Sequence, residues 1–269
     1  MKLLEIKRYW NFFKKIFEMQ AMQNAEYRAD MIMVFLASWG YMVMSLVFLF
    51  VFFGNVTEIG GWNKYETITL FAVGQLVFYL NWSFFGSVSE AVGKFIQEGS
   101  LDRFLLYPLN ALYNISVCSP DFIVTIPSFI FTGAVLVWGY IHLESETGLA
   151  GMILCVLLMI VGCLQVTFYN LCISLLSFWL TDVRSIHRVR IRLQDLYKFP
   201  RDIYPQGSIR AIFTYVIPIA LTAYVPAYVL VKGFDLSLIL VYLFVTVMLF
   251  GLTLLLWGMG KKVYSSVSS

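Results

Sequence analysis

Six stretches of this chain carry no charged side chain at all: Met31–Thr57, Thr67–Ser89, Phe122–Leu143, Thr147–Thr181, Ala211–Val231 and Leu236–Gly260. Each reaches the about 20 residues that a helix needs to cross a hydrocarbon core. The pattern predicts six transmembrane helices over about 31–53, 67–89, 120–141, 149–180, a fifth, broken segment within 183–231, and 236–258. Residues 1–29 follow another rule. Leu3, Ile6, Trp10, Phe13 and Phe17 recur every three or four positions, while Lys7, Arg8, Lys14 and Lys15 take other faces. Such a helix lies in the membrane interface, with Trp10, Phe13 and Phe17 toward the acyl chains and Lys14 toward the headgroups. The expected fold class is an all-α integral membrane protein, one domain over 1–269, with an N-terminal interfacial helix.

Two segments depart from a simple crossing. The fourth run, 35 residues from Thr147 to Thr181, would be about 50 Å long as a helix and must tilt, kink or leave the membrane. The segment from Asp182 to Val231 has two readings. Charge alone makes 184–210 a loop and Ala211–Val231 the fifth span, interrupted by Pro218 and Pro226. In the other reading, residues 183–199 form the crossing helix, with Arg184, Arg188, Arg192 and Asp195 on a wet face. The stretch holding Pro205, Pro218 and Pro226 then becomes a re-entrant hairpin buried in protein.

Composition agrees with lipid as the main solvent: 60% of residues are apolar and 13% charged, against about 45–50% and about 25% in soluble domains. The basic residues follow loop parity. Reading from an N-terminus inside, only Lys64 and Lys232 of the 19 lysines and arginines fall outside on the first reading of the fifth segment, and Arg201 and Arg210 join them on the second. Either way the positive-inside bias puts both termini in the cytoplasm. It also argues against nucleic acid as the partner of the basic segments. The first apolar run starts too late for a cleavable signal peptide, so the first span is expected to be retained.

Candidate chemistry is sparse. Only His142 and His187 represent histidine, and they fall on opposite sides of the membrane. The four cysteines lack metal-binding spacing and read as packing residues. No GxxxxGK[ST] loop occurs, so no ATP site is expected in this chain. No acidic or basic relay runs through the span cores. Gln75 and Asn81 in the second span and Gln165 and Asn170 in the fourth are interhelical glue or, with Arg188 and Arg192, line a substrate path. Ser119, Pro120 and Asp121 read as the start of the third span's helix.

The inner loop EGSLDRFLLYPLN, Glu98 to Asn110, resembles the G-x-LD-x-x-L-x-x-P-L-N signature of ABC-2-type permeases, in the subgroup of heteromeric bacterial exporters. Tyr107 stands where that pattern often has arginine. The stretch KFPRDIYPQGSIRAIFTYVIPIALTAYVPA, Lys198 to Ala227, is similar to a second pattern of the subgroup. The resemblance covers nearly the whole chain and implies an ABC-2, type V exporter-like fold and a non-enzymatic permease of the bacterial cytoplasmic membrane. ATP and Mg would be bound by a cytoplasmic P-loop ATPase dimer. A second permease subunit, a sister chain or a second copy, would complete the path among membrane lipids. It makes Glu98, Gly99, Leu101, Asp102, Arg103, Phe104, Leu105 and Pro108 the ATPase-coupling helix, with Leu101, Phe104 and Leu105 as knobs seated in the ATPase and Glu98, Asp102 and Arg103 as a polar rim. It also favours the re-entrant reading of Pro205, Pro218 and Pro226. Aromatic- and Met-rich spans point to an amphiphilic, lipid-like or drug-like cargo. The competing classes are a non-ABC channel, carrier or structural membrane protein, and a lipid-acting membrane enzyme, for which no cluster of acids or histidines is present.

Overall fold

A computed structural model describes residues 2–26, 28–86, 88–106, 111, 115, 122–143, 147–180, 188 and 195–264. The apolar runs form helices because, without water, each backbone N–H and C=O must be satisfied within its own segment. In chain order they are α1 (Lys2–Glu26), α2 (Arg28–Phe53), α3 (Lys64–Phe85), α4 (Val88–Gln97), the single turn α5 (Asp102–Leu105), α6 (Phe122–Ile141) and α7 (Leu149–Leu175). After 3-10 turns at Leu176–Phe178, Asp195–Lys198 and Arg201–Ile203 come α8 (Ser208–Ala211), a π turn at Ile212–Val216, α9 (Ile219–Val231) and α10 (Leu236–Val263). Among the described residues the only extended pairing is the bridge between Ile59 and Trp62.

Among the described residues, four helical stretches are long and apolar enough to cross a membrane: Met31–Phe53, Lys64–Phe85, Leu149–Phe178 and Leu236–Val263. Thr125–Ile141 is a shorter apolar helix, and Ser208–Val216 with Ile219–Val231 form a pair bent by 92°. The chain is thus an all-helical membrane protein with four to five candidate spans. The long fourth run resolves as α7 tightening into the 3-10 turn Leu176–Phe178.

α3 and α7 form the centre. α7 packs on α3, α4, α9 and α10, and α6 packs on α3 and α2. The start of α3 is fixed locally: Asn63 Oδ1 accepts from the Glu66 N–H at 3.0 Å, and Glu66 Oε2 accepts from the Asn63 N–H at 2.7 Å. This is a capping box, which satisfies two otherwise orphaned donors.

The bundle has two ends. At one, here the Trp62 end, Lys232 Nζ meets Glu66 Oε1 at 2.7 Å, the Tyr140 hydroxyl donates to Thr147 O at 2.7 Å, and Thr147 Oγ1 donates to Leu230 O at 2.9 Å. At the other, the Leu101 end, the last turns of α7 and α10 meet α4 and α5 in a cluster of Val92, Ile96, Leu101, Phe104, Leu175 and Trp257.

Asp202 decides the path of the broken segment. Its Oδ2 accepts from Trp62 Nε1 at 3.1 Å and from the Tyr224 hydroxyl at 2.7 Å. Residue 202 therefore sits at the Trp62 end, where α9 also finishes at Lys232 beside Glu66. A segment that begins and ends at one end of a bundle does not cross it. The charge-only reading of Ala211–Val231 as a span is corrected to a re-entrant hairpin. Its bend falls at Ile217 and Pro218, where the π turn closes with Ile217 N–H donating to Ile212 O at 2.9 Å and Pro218 caps α9. Pro226 does not interrupt: it lies inside α9, which continues to Val231. Pro205 is an exposed coil residue ahead of α8.

Candidate functional site

The segment singled out for coupling lies at the Leu101 end. α4 ends at Gln97, Gly99 takes φ 65°, a left-handed geometry that glycine adopts without strain, and Ser100 N–H donates back to Phe95 O at 3.0 Å. The turn reverses the chain into α5, whose first residue is Asp102 and which includes Arg103, Phe104 and Leu105. Pro108 lies outside the described residues, as do Ser119, Pro120 and Asp121.

The expected outward knobs need correction. Leu101 is fully buried and Phe104 nearly so, in the cluster with Leu171, Leu175 and Trp257. Burial of their apolar surface against α7 and α10 turns them into the chain's own core. The residues that face outward are Lys94, Gln97, Glu98 and Leu106, the last 84% exposed. Glu98 pairs with Lys94 across one helical turn, at 3.8 Å. Behind them, Tyr264 at the end of α10 packs against the cluster of Leu101 and Phe104, and burial, with the charge of Asp102, raises its phenol. Gly260 gives Phe178 its place, since a Cβ there would overlap the Phe178 ring.

The amides are structural partners in the centre of the bundle. Asn81 Nδ2 donates to Thr167 Oγ1 at 2.7 Å and to Cys163 O at 3.2 Å, linking α3 to α7. Gln75 Nε2 contacts Met42 Sδ at 3.9 Å, and Gln75 Oε1 accepts from the Tyr197 hydroxyl. Tyr197 reaches this depth because residue 74 is glycine; a Cβ would strike its ring. Gln165 is fully buried with both amide atoms unpartnered, and the Asn170 carbonyl Oδ1 is likewise unpartnered. Arg188 is exposed, and Arg192 lies outside the described residues.

Sequence reasoning missed the knot at the Trp62 end. Besides Trp62 and Tyr224, Asp202 has Arg210 Nη1 at 3.9 Å, and the Arg210 guanidinium donates to Tyr204 O at 2.9 and 3.1 Å. The side chains of Arg201, Asp202, Arg210, Tyr215, Tyr224 and Asp235 line a cavity of about 490 Å³. The one available signal was an acid, Asp202, between Arg201 and Arg210.

In α1, the Trp10 and Phe13 rings stack at 5.9 Å, Lys14 pairs with Glu18 at 3.9 Å, and Trp10 and Phe17 are exposed while Ile16 is buried. The helix touches α2 and α6. The described cysteines, Cys155, Cys163 and Cys172, are buried thiols, and Cys118 lies outside the described residues.

Neither the curated proteins nor the solved structures searched gave a match. A family model described as "ABC-2 family transporter protein" matches residues 39–268, from the middle of α2 to beyond the end of α10. With apolar helices packed around α3 and α7 and a match over nearly its whole length, the chain belongs to the ABC-2 family of transporter membrane proteins.

Proposed function

We propose that this chain is the membrane-spanning permease subunit of an ATP-binding cassette exporter, carrying an amphiphilic, lipid-like or drug-like substrate and driven by a separate P-loop ATPase dimer. Permeases of this family work with an ATPase subunit. ATP and Mg belong to that partner, and a second permease, sister chain or copy, closes the path. In this reading the Leu101 end faces the cytoplasm of a bacterial inner membrane and α1 lies in the interface. The chain crosses six times in this reading, once for each long uncharged run or broken segment of the sequence. Phe178 stands at the Leu101 end and Asp202 at the Trp62 end, which supports an even number of changes of end over the whole chain. Lys94, Lys261 and Lys262 then lie inside, while Lys64, Arg201, Arg210 and Lys232 lie outside.

The observation that carries the proposal is the construction of α4 and α5. Their inner face, Leu101 and Phe104, is seated against α7 and α10, while Lys94, Gln97, Glu98 and Leu106 face outward. A partner gripping the outward residues would move α7 and α10 together, because close-packed apolar clusters transmit displacement rather than absorb it. The interfacial helix α1 supplies a second contact.

The test is purification of the tagged chain in mild detergent, mass spectrometry of what accompanies it, and an ATPase assay on the complex. A P-loop ATPase and a second permease are expected. The double variant E98A/L106A should keep its unfolding midpoint and lose substrate-stimulated ATP hydrolysis. A chain that purifies alone and without ATPase activity would overturn the reading.

A further inference from the structure

The cavity of about 490 Å³ at the Trp62 end carries charges of both signs on its wall. Two of them are spent within the knot. Asp202 accepts from Trp62 and Tyr224 and faces Arg210 at 3.9 Å, and Arg210 donates to Tyr204 O. Two others are left over. Arg201 lines the cavity, and its buried Nε has no hydrogen-bond partner among the described residues. Asp235 also lines it, and the bonds that fix its carboxylate, from the Ser237 hydroxyl and the N–H groups of Ser237 and Leu238, all go to Oδ1. Its Oδ2 accepts no hydrogen bond from a described residue. Arg201 and Asp235 share one cavity, yet they form no ion pair with each other. A buried guanidinium nitrogen without an acceptor is costly until something supplies one.

The wall changes character along α10. Asp235 caps that helix, and Leu238 and Val241, both half-buried, line the same cavity from its first two turns. At helical rise Val241 lies about 9 Å further along the axis than Asp235. The charged rim therefore sits at the end of the bundle, and apolar surface continues from it toward the middle of the span. The rings of Tyr215 and Tyr228 stand in the wall beside the charges. An aromatic face attracts an ammonium group through its quadrupole.

We propose that this cavity binds a zwitterion that joins a phosphate to an ammonium group, as phosphocholine and phosphoethanolamine do. The phosphate takes the free donors of Arg201, the ammonium lies between Asp235 Oδ2 and the tyrosine rings, and an attached acyl chain leaves along Leu238 and Val241. An anion alone would leave Asp235 unanswered and be repelled by it, and a cation alone would meet Arg201. Only a ligand with both charges makes a charge-assisted contact at each. The same chemistry is offered by a membrane phospholipid and by its free headgroup. The site does not depend on the exporter reading, because it requires only that the Trp62 end meet a membrane surface.

The full chain, in dodecyl maltoside, is titrated with dihexanoylphosphatidylcholine, dihexanoylphosphatidylglycerol, hexyltrimethylammonium and glycerophosphocholine. The phosphatidylcholine probe is expected to bind at least about tenfold tighter than the anionic or the cationic one. R201Q and D235N should each erase that preference. D235N is the cleaner variant, since asparagine keeps the α10 cap and loses only the charge. V241F narrows the apolar wall with both charges intact and should weaken the phosphatidylcholine probe. Glycerophosphocholine binding as tight as the lipid would identify the free headgroup as the ligand, and tighter lipid binding would identify the membrane as its source. Equal affinities for the zwitterionic, anionic and cationic probes, or a preference that survives D235N, would overturn the proposal. An ATPase complex without zwitterion preference removes this site alone, whereas the preference in a chain that recruits no ATPase removes the exporter alone.

Discussion

At the Trp62 end the helices are stitched by directional polar contacts: Trp62 and Tyr224 to Asp202, Lys232 to Glu66, Thr147 to Leu230. At the Leu101 end, Leu101, Phe104, Leu175, Phe178 and Trp257 meet through apolar surface. The two modes differ in what they permit. Hydrogen bonds to a carboxylate lose most of their energy when geometry shifts by an ångström. Apolar contact is non-directional and survives sliding as long as area stays covered. The protein is therefore clamped where the hairpin meets α3 and freer to slide at the Leu101 end, where on the exporter reading an ATPase would push.

The heaviest blow to the Leu101 end is L101A, which empties a fully buried site between α5, α7 and α10. It should cost about 3 kcal/mol in unfolding experiments. An unchanged unfolding midpoint would mean that Leu101 does not wedge α5 onto the spans. G74A tests the centre, where the two ends meet: the added methyl displaces Tyr197, at a cost of about 2 kcal/mol. Pairing it with Y197A should recover part of the loss, because the two effects share one clash. D202N weakens the clamp while keeping one acceptor, and should cost about 1 kcal/mol because Asp202 is partly solvated. Its signature is faster hydrogen exchange confined to residues 201–216; loosening at Leu101 instead would dissolve the contrast between the ends.

Two smaller effects sharpen it. E98Q removes an exposed pair with Lys94 and should change stability by less than about 0.5 kcal/mol. A drop in stimulated ATP hydrolysis without that stability change would identify Glu98 as a contact residue. At the Trp62 end, hydrogen bonds from the Ser237 hydroxyl, and from the Leu238 and Ser237 backbone N–H groups, hold the Asp235 carboxyl below its ordinary range. A lowered folded value stabilises at higher pH, and the contribution disappears as pH falls through it. D235N should therefore lower the unfolding midpoint slightly at neutrality, and the difference from the unsubstituted chain should close as pH falls below about 4.

Much of the fold could be read from charge gaps, because a helix in lipid needs little more than enough uncharged residues in a row. The coupling segment was also locatable, from its polar turn with Gly99. Which of its residues face outward was not, since Leu101 and Leu106 are the same residue type and only the position of α7 and α10 separates them. The sequence pattern placed Gln75, Asn81, Gln165 and Asn170 in the spans, but the partners of the first two, Tyr197 and Thr167, lie scores of positions away, and both amide atoms of Gln165 have none.

α2 and α3 show where that boundary falls. Both are long and apolar enough to cross, yet 67% of the α3 window is buried in protein and 11% of the α2 window. Lipid and a packed protein core accept the same apolar side chains, so the sequence by itself determined that these segments enter the membrane and how they follow one another. Which of them stands at the centre, and that Ala211–Val231 turns back instead of crossing, depended on contacts such as Asp202 with Trp62 and Gly74 with Tyr197. These join residues more than a hundred positions apart, and no local pattern of hydrophobicity encodes such pairings.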